Sequence, residues 1–177
     1  GLQLRSGSTS TIDHTEINYA ERVIHVFESS SATLNGVTSR WNTDGLYLYG
    51  YVDIDVSNSA FINNDRYGVY SRGISSQTDP SVWIRTSEIH TNGAAWDFYL
   101  GGGFSAPAET IFRAEDNWWG TTNTSQIESR VYDHADSGSN ARVDWCPPLE
   151  APEGAPADVA CFDMHICNET EILAETH

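Results

Sequence analysis

The sequence contains no lysine. All nine basic residues are arginine, and 25 acidic residues give the 177-residue chain a formal net charge of −16. Binding to nucleic acid requires a basic surface that neutralises phosphates, so the composition argues against a nucleic-acid partner. An excess of negative charge favours solubility by self-repulsion. An acidic, lysine-free composition is also halophile-like, since high salt screens this repulsion; a GC-rich genome is the alternative explanation.

Long apolar runs are also missing. No stretch of about 18 apolar residues occurs, and we therefore expect no membrane span. No amphipathic helix pattern of useful length precedes residue 124. The chain has neither an initiator methionine nor a signal peptide at its start, and we expect a mature product or a part of a longer protein.

Instead, the sequence repeats one short strand-like phrase. It reads GLQLRSG at 1–7, GLYLYG at 45–50, YGVYSRG at 67–73 and DFYLGG at 97–102. Reading outward from it gives two apolar columns and one polar column at spacings of 22 to 29 residues. The first is Leu2, Ile24, Leu46, Val69 and Phe98; the second is Ile12, Leu34, Val56, Ile84 and Phe112; the polar one is Asn42, Asn64 and Asn92.

Short alternating strands at this period, without helices, predict an all-β solenoid, a parallel β-helix. Each coil lies about 4.8 Å above the last, so that the apolar columns form the core and the Asn column stacks in a turn. We predict about five coils over 1–145 with an open N-terminal end. A leucine-rich repeat has a similar period, but its Leu-dense L-x-x-L-x-L phrase is absent here.

Two motifs near the end of the repeat connect it with a known family. DNWWGT stands at 116–121 and VDWCPPL at 143–149. With the repeat, they resemble the right-handed parallel β-helix (pectate-lyase-like) repeat proteins of microbial surfaces and secretions, where an NNWWGT phrase commonly ends the ladder. The resemblance covers roughly 1–149 and implies an extracellular or cell-surface location. It does not select a function, because the fold hosts lyases, hydrolases, adhesins and phage spikes.

The residue after each inward position of the phrase must point outward. This outward column is Gln3, His25, Tyr47, Tyr70 and Tyr99, and two residues further on stand Arg5, Phe27, Tyr49, Arg72 and Gly101. Exposed aromatic patches mark binding sites, and Tyr suits sugars; in polysaccharide-active relatives the sugar cleft follows this sheet. The candidate binding residues are therefore His25, Phe27, Tyr47, Tyr49, Tyr70, Arg72 and Tyr99. The alternative is that Tyr is simply a good strand former.

Candidate catalytic groups do not form a convincing set. Asp44 and Asp97 lie near the turn of the outward strand face, but a coil separates them, whereas glycoside hydrolysis needs two carboxylates about 5 to 10 Å apart. Asp53 and Asp55 could contact Ca²⁺, although alternating Asp residues are usually a solvated strand face. We predict no catalytic residue and no cofactor.

The end of the chain has a different character. TSQIESRVYDH at 124–134 predicts a short capping helix near 125–134, with Ser125 and Glu128 in a capping-box pattern. CPPLEAPEGAPADVA predicts an extended Pro/Ala linker, so that 146–177 forms a linker and tail.

The only three cysteines, Cys146, Cys161 and Cys167, occur late in the chain. In an oxidising compartment they predict one disulfide with one cysteine left over. There are two alternatives. The first is a Cys₃His zinc site formed with His165, and the second is that the cysteines remain reduced thiols. Asn123 and Asn168 begin N-glycosylation sequons.

Three functions follow from these patterns. The first is a non-catalytic extracellular structural protein that assembles end to end into a filament or layer. The second is an adhesin or carbohydrate-binding module that uses the outward Tyr column. The third is the C-terminal part of a polysaccharide lyase or hydrolase. The expected partners are copies of itself, a longer parent chain, or polysaccharide.

Overall fold

The computed structural model describes residues 1–74, 80–93, 95–159 and 161. Within them the chain forms sixteen strands and one five-residue helix, which confirms the all-β prediction. The strands are β1 Leu2–Leu4, β2 Thr9–Asp13, β3 Glu16–Asn18, β4 Arg22–Val26, β5 Ser30–Asn35, β6 Thr38–Arg40, β7 Asp44–Tyr49, β8 Val52–Ser57, β9 Ala60–Ile62, β10 Tyr67–Arg72, β11 Ser81–Arg85, β12 Glu88–His90, β13 Phe98–Leu100, β14 Ile111–Arg113, β15 Val131–Tyr132 and β16 Arg142–Asp144. The helix, α1, spans Thr124–Glu128 between β14 and β15.

The strands form three parallel sheets. Sheet A has the order β1-β4-β7-β10-β13-β15, sheet B has β2-β5-β8-β11-β14-β16 in the same direction, and sheet C has β3-β6-β9-β12. Consecutive strands therefore enter different sheets, and from β1 to β12 each passage adds one strand to each of the three sheets. An isolated bridge between Glu88 and Trp118 continues sheet C by one more position.

The first apolar column has the predicted register. Leu2, Ile24, Leu46, Val69 and Phe98 are paired in series across sheet A, and Val131 extends the series. All of them except Leu2 are buried. Parallel pairing at this register places equivalent side chains above one another in the core.

The second column is wrong at its last member. Ile12, Leu34, Val56 and Ile84 are paired in series across sheet B, but Phe112 pairs with Val82 instead of Ile84. The loop before β14 has a length that shifts the register of β14 by two residues from the register that a constant spacing predicts. Because strand side chains alternate, a shift of two keeps Phe112 on the inner face, where it is fully buried.

The predicted Asn column lies buried in the turn between sheets C and A. Asn42 Oδ1 accepts a hydrogen bond from the Ala20 backbone N–H at 2.8 Å. Asn64 and Asn92 accept from the preceding Asn N–H in the same way, at 3.2 and 2.9 Å. The series ends at Asp97, whose Oδ1 accepts from Asn92 N–H at 2.9 Å. This Asn ladder therefore links successive repeats through buried polar groups.

A second polar ladder, in the turn between sheets B and C, was not predicted. Ser59 Oγ accepts from Val37 N–H at 3.1 Å, and Ser87 Oγ accepts from Ser59 N–H at 3.0 Å. Asn117 closes the series by accepting from Ser87 N–H at 2.9 Å. Asn117 is the Asn of the DNWWGT motif, so this residue terminates a ladder inside the fold.

The capping helix is shorter than predicted and starts from a different residue. Asn123, and not Ser125, is the N-cap, and its side chain accepts from Gln126 N–H at 3.1 Å. The helix ends at Glu128, because Val131 and Tyr132 instead join sheet A opposite Phe98 and Tyr99. A buried Val and a half-buried Tyr in alternation fit a strand better than a helix.

The predicted extended linker folds back on the body. Leu149 is buried, its N–H donates to Asn117 O at 2.8 Å, and it pairs antiparallel with Pro156. A disulfide joins Cys146 to Cys161, with their Cα atoms 5.8 Å apart. His165, Cys167 and Asn168 lie outside the described residues.

Candidate ligand-binding face

The outward column of sheet A has the register expected from the sequence. Gln3, His25, Tyr47, Tyr70 and Tyr99 are paired in series, and Tyr132 extends the column by one strand. We call the rings of His25, Tyr47, Tyr70, Tyr99 and Tyr132 the aromatic ladder.

The rings of the aromatic ladder contact one another along its whole length. Ring centroids are 4.3 Å apart for His25 and Tyr47, and 4.8 Å apart for Tyr47 and Tyr70. They are 5.6 Å apart for Tyr70 and Tyr99, and 4.9 Å apart for Tyr99 and Tyr132. These distances are close to the spacing of about 4.8 Å between neighbouring strands, so the backbone register itself holds the rings in a row.

Four further rings flank the aromatic ladder. Phe27 stacks on His25 at 3.7 Å, and Tyr49 lies 6.3 Å from Tyr47. Tyr67 stacks on Tyr99 at 4.7 Å, and Trp96 lies 4.9 Å from Tyr132. Phe27 and Tyr49 are among the predicted residues, whereas Tyr67, Trp96 and Tyr132 are not. Tyr67 and Trp96 share a sequence signal that could have identified them: each stands three residues before a Tyr of the ladder, in YGVY and WDFY.

The ladder presents ring edges and hydroxyls more than ring faces. Tyr99 and Tyr132 are inclined by only 11°, and Tyr67 and Tyr99 by 13°, so each of these rings covers a face of the next. Contrary to the expected exposure, His25 and Tyr47 are buried, each only 7% exposed, and the remaining Tyr rings of the ladder are half-buried. A ligand lying along the ladder would therefore meet a row of phenol groups and hydrogen-bond to them.

Burial raises the pKa of two of these phenols. It raises the pKa of Tyr67, with the nearby Tyr99 phenol as the next cause. Burial likewise raises the pKa of Tyr99, followed by the effect of Tyr132. A free Tyr already titrates near 10, so both groups remain uncharged phenols that donate and accept hydrogen bonds at physiological pH.

Two arginines beside the ladder differ from most other arginines of the chain in their ion pairing. Arg40, Arg66, Arg85, Arg113 and Arg130 are each paired with a carboxylate. Arg5 and Arg72 are exposed and form no ion pair in the part of the chain that the structure describes. Arg72 pairs across the strands with Tyr49, and Arg5 donates to Gln3 at 3.2 Å. Guanidinium groups that have no carboxylate partner among the described residues therefore lie next to the phenol row.

Asp44 and Asp97 are not exposed on the strand face, contrary to expectation. Both are buried. Arg66 binds Asp44 through two nitrogens at 2.9 and 2.5 Å, and Arg130 binds Asp97 in the same bidentate way at 2.8 and 3.1 Å. Each carboxylate is thus held by a guanidinium of a later repeat, which occupies the oxygens that acid–base chemistry would use.

No group of three or more His, Cys, Asp or Glu side chains able to hold a metal occurs among the described residues. Asp55, one of the two candidate Ca²⁺ contacts, is bound by Arg85 at 2.6 and 3.2 Å. For the zinc alternative, Cys146 and Cys161 form a disulfide, and a disulfide supplies no thiolate ligand.

Asn123 lies exposed at the start of α1. Its Oδ1 is used in capping the helix, whereas glycosylation modifies the amide nitrogen. The sequon and the cap are therefore compatible in one folded state.

In the described residues, no helix has the length and apolar character required to cross a membrane. Comparison of the chain with protein-family models, with curated proteins and with solved structures gives no match.

Proposed function

We propose that the chain is a non-catalytic module of the cell surface or extracellular space that binds polysaccharide along the aromatic ladder of sheet A. One observation carries the proposal: rings on five successive strands form an unbroken row on one outward face. At about 4.8 Å per strand, the row is about 20 Å long, and its half-buried part from Tyr70 to Tyr132 is about 10 Å long. The disulfide fits an oxidising compartment.

We further propose that the three sheets are the faces of a right-handed parallel β-helix. The support is the regular order in which the strands from β1 to β14 enter sheets A, B and C in turn, with parallel pairing between neighbouring strands of each sheet. Parallel crossover connections are right-handed in nearly all known cases. In a parallel β-helix, each outward face runs straight along the helix axis, and such a face suits a linear polymer.

Polysaccharide fits the chemistry of this row better than a flat apolar partner does. A sugar chain offers hydroxyl groups at regular intervals, and neutral phenols can both donate to and accept from them. Arg5 and Arg72 add donors at the border. The paired carboxylates Asp44 and Asp97 favour binding over catalysis.

The test is a variant that removes only hydroxyls. Replacing Tyr70, Tyr99 and Tyr132 together by Phe keeps the rings and is expected to weaken binding about tenfold or more, since each lost hydrogen bond is worth about 0.5–1.5 kcal/mol. Affinity electrophoresis measures this loss of binding, in gels that contain β-glucan, xylan, galactomannan, alginate or polygalacturonate. Trp83→Phe on sheet B is the control. Equal retardation of the triple variant and the wild type, or no retardation of the wild type in any gel, would contradict the proposal.

A second proposal is that the module is a structural unit that assembles end to end. The outer edge of β1 has no strand partner within the described residues, and Leu2 is 39% exposed. Unpaired strand edges of this kind accept another chain by main-chain pairing. Negative-stain electron microscopy at high and low salt is expected to reveal regular filaments. Separate particles under both conditions would contradict end-to-end assembly.

A further inference from the structure

A second aromatic feature lies on the turn between sheets C and A, outside the aromatic ladder. Asn18, Arg40, Ile62 and His90 are paired in series across sheet C, so the residues that follow them are equivalent. These are Tyr19, Trp41, Asn63 and Thr91, and all four have a left-handed backbone, with φ of 58°, 57°, 53° and 60°.

Tyr19 and Trp41 are unfavourable choices for this position. The left-handed region suits Gly and Asn, whereas large side chains are strained in it. Burial does not compensate the strain, because Tyr19 is 80% exposed and Trp41 is 42% exposed. In the third repeat the equivalent position is occupied by Asn63, a residue type that adopts this left-handed backbone with little strain. Two large rings that remain exposed at a strained backbone position point to a functional role.

The two rings form a braced platform. Their centroids are 5.5 Å apart and their planes are inclined by 22°. The Arg40 guanidinium lies 4.2 Å from the Trp41 ring centroid. Glu16 fixes Arg40 by accepting from its Nε at 3.0 Å and from its Nη2 at 2.5 Å. Unlike the rings of the ladder, Tyr19 therefore offers an open ring face to solvent.

We propose that Tyr19 and Trp41 form a second saccharide site, which stacks a neutral pyranose ring with equatorial hydroxyls. Such a ring has a flat C–H face that packs on an aromatic face, while its hydroxyls reach polar groups at the edge. The Arg40–Glu16 pair lies beside Trp41, and its Arg40 Nη1 donor and Glu16 Oε2 acceptor have no partner among the described residues, which leaves both for the sugar hydroxyls. The neighbouring carboxylate and the net charge of −16 disfavour an acidic sugar.

The test separates this site from the ladder. Isothermal titration with cellohexaose and xylohexaose is carried out on the Tyr70→Phe, Tyr99→Phe, Tyr132→Phe protein, so the result does not depend on the ladder proposal. We expect one site for at least one of these sugars, weakened tenfold or more by Tyr19→Asn with Trp41→Asn. Because Asn relieves the backbone strain, the melting temperature of that variant is expected to stay constant or rise.

Trp83→Ala is the matched control, since Trp83 is similarly exposed at 37% and lies under Arg85 and Arg113 on sheet B. It is expected to leave binding unchanged. Three results would overturn the proposal: no binding of either sugar before the substitution, equal binding after it, or a fall in melting temperature that accompanies the loss. The last result would mean that the pair stabilises the fold.

Discussion

Replacing Asn64 with alanine is expected to lower the free energy of unfolding by about 3–5 kcal/mol, because several buried polar groups lose their partners at once. Asn64 Oδ1 accepts from both the N–H and the Nδ2 of Asn42, each at 3.2 Å. Its Nδ2 donates to Ser39 O at 3.2 Å and to Asn92 Oδ1 at 3.0 Å. Water cannot replace these bonds easily, since Asn64 is only 2% exposed.

Urea unfolding followed by circular dichroism measures this change, and the adjacent residue provides the control. Asn63 is exposed and has a φ of 53°, so Asn63→Ala costs only the strain of a left-handed alanine, about 1–2 kcal/mol. If Asn64→Ala cost no more than Asn63→Ala, the Asn ladder would not be a major source of stability.

Replacing Gly68 with alanine is expected to destabilise the protein by about 3 kcal/mol or more, through overpacking. A Cβ atom at this position would lie 2.7 Å from Asn92 Nδ2 and 2.8 Å from the backbone oxygen of Phe61. Gly45 has the same problem one repeat earlier, where a Cβ would lie 2.5 Å from Gly68 O. The glycine in the recurring phrase thus permits close approach of neighbouring backbones.

Gly138→Ala is the matched control for this prediction. Nothing lies within 4 Å of a Cβ built at Gly138, and the substitution reduces the entropy of the unfolded chain. Its expected effect is neutral or slightly stabilising. Differential scanning calorimetry of the two variants compares them directly, and a Gly68→Ala protein as stable as the wild type would refute the close-packing explanation.

The sequence predicted sheet A more accurately than sheet B because of its recurring phrase. Leu46, Val69 and Phe98 share one pattern of alternation, which defines both their register and the outward column. Phe112 was placed two residues out of register, because spacing alone does not determine how much chain a loop uses. The Ser59–Ser87–Asn117 ladder escaped detection because Ser is common in every turn of this sequence, and its buried copies carry no distinct signal.

The sequence predicted the outward column of the candidate site, but it did not predict the residues and contacts around that column. His25, Tyr47, Tyr70 and Tyr99 follow from period-two alternation alone. Tyr132 required knowing that the chain returns to sheet A after α1, which the helix prediction obscured. The buried state of Asp44 depends on Arg66 from the next repeat, a contact between residues 22 apart that alternation within one strand does not reveal.

The most direct test of the account is footprinting of tyrosine oxidation. Hydroxyl radicals are applied to the protein with and without the polysaccharide that retards it, and oxidation of each peptide is measured by mass spectrometry. We predict protection of Tyr70, Tyr99 and Tyr132 by the bound polysaccharide and no protection of Trp83 on sheet B. Equal oxidation of the three tyrosines in both samples would show that sheet A is not the binding face.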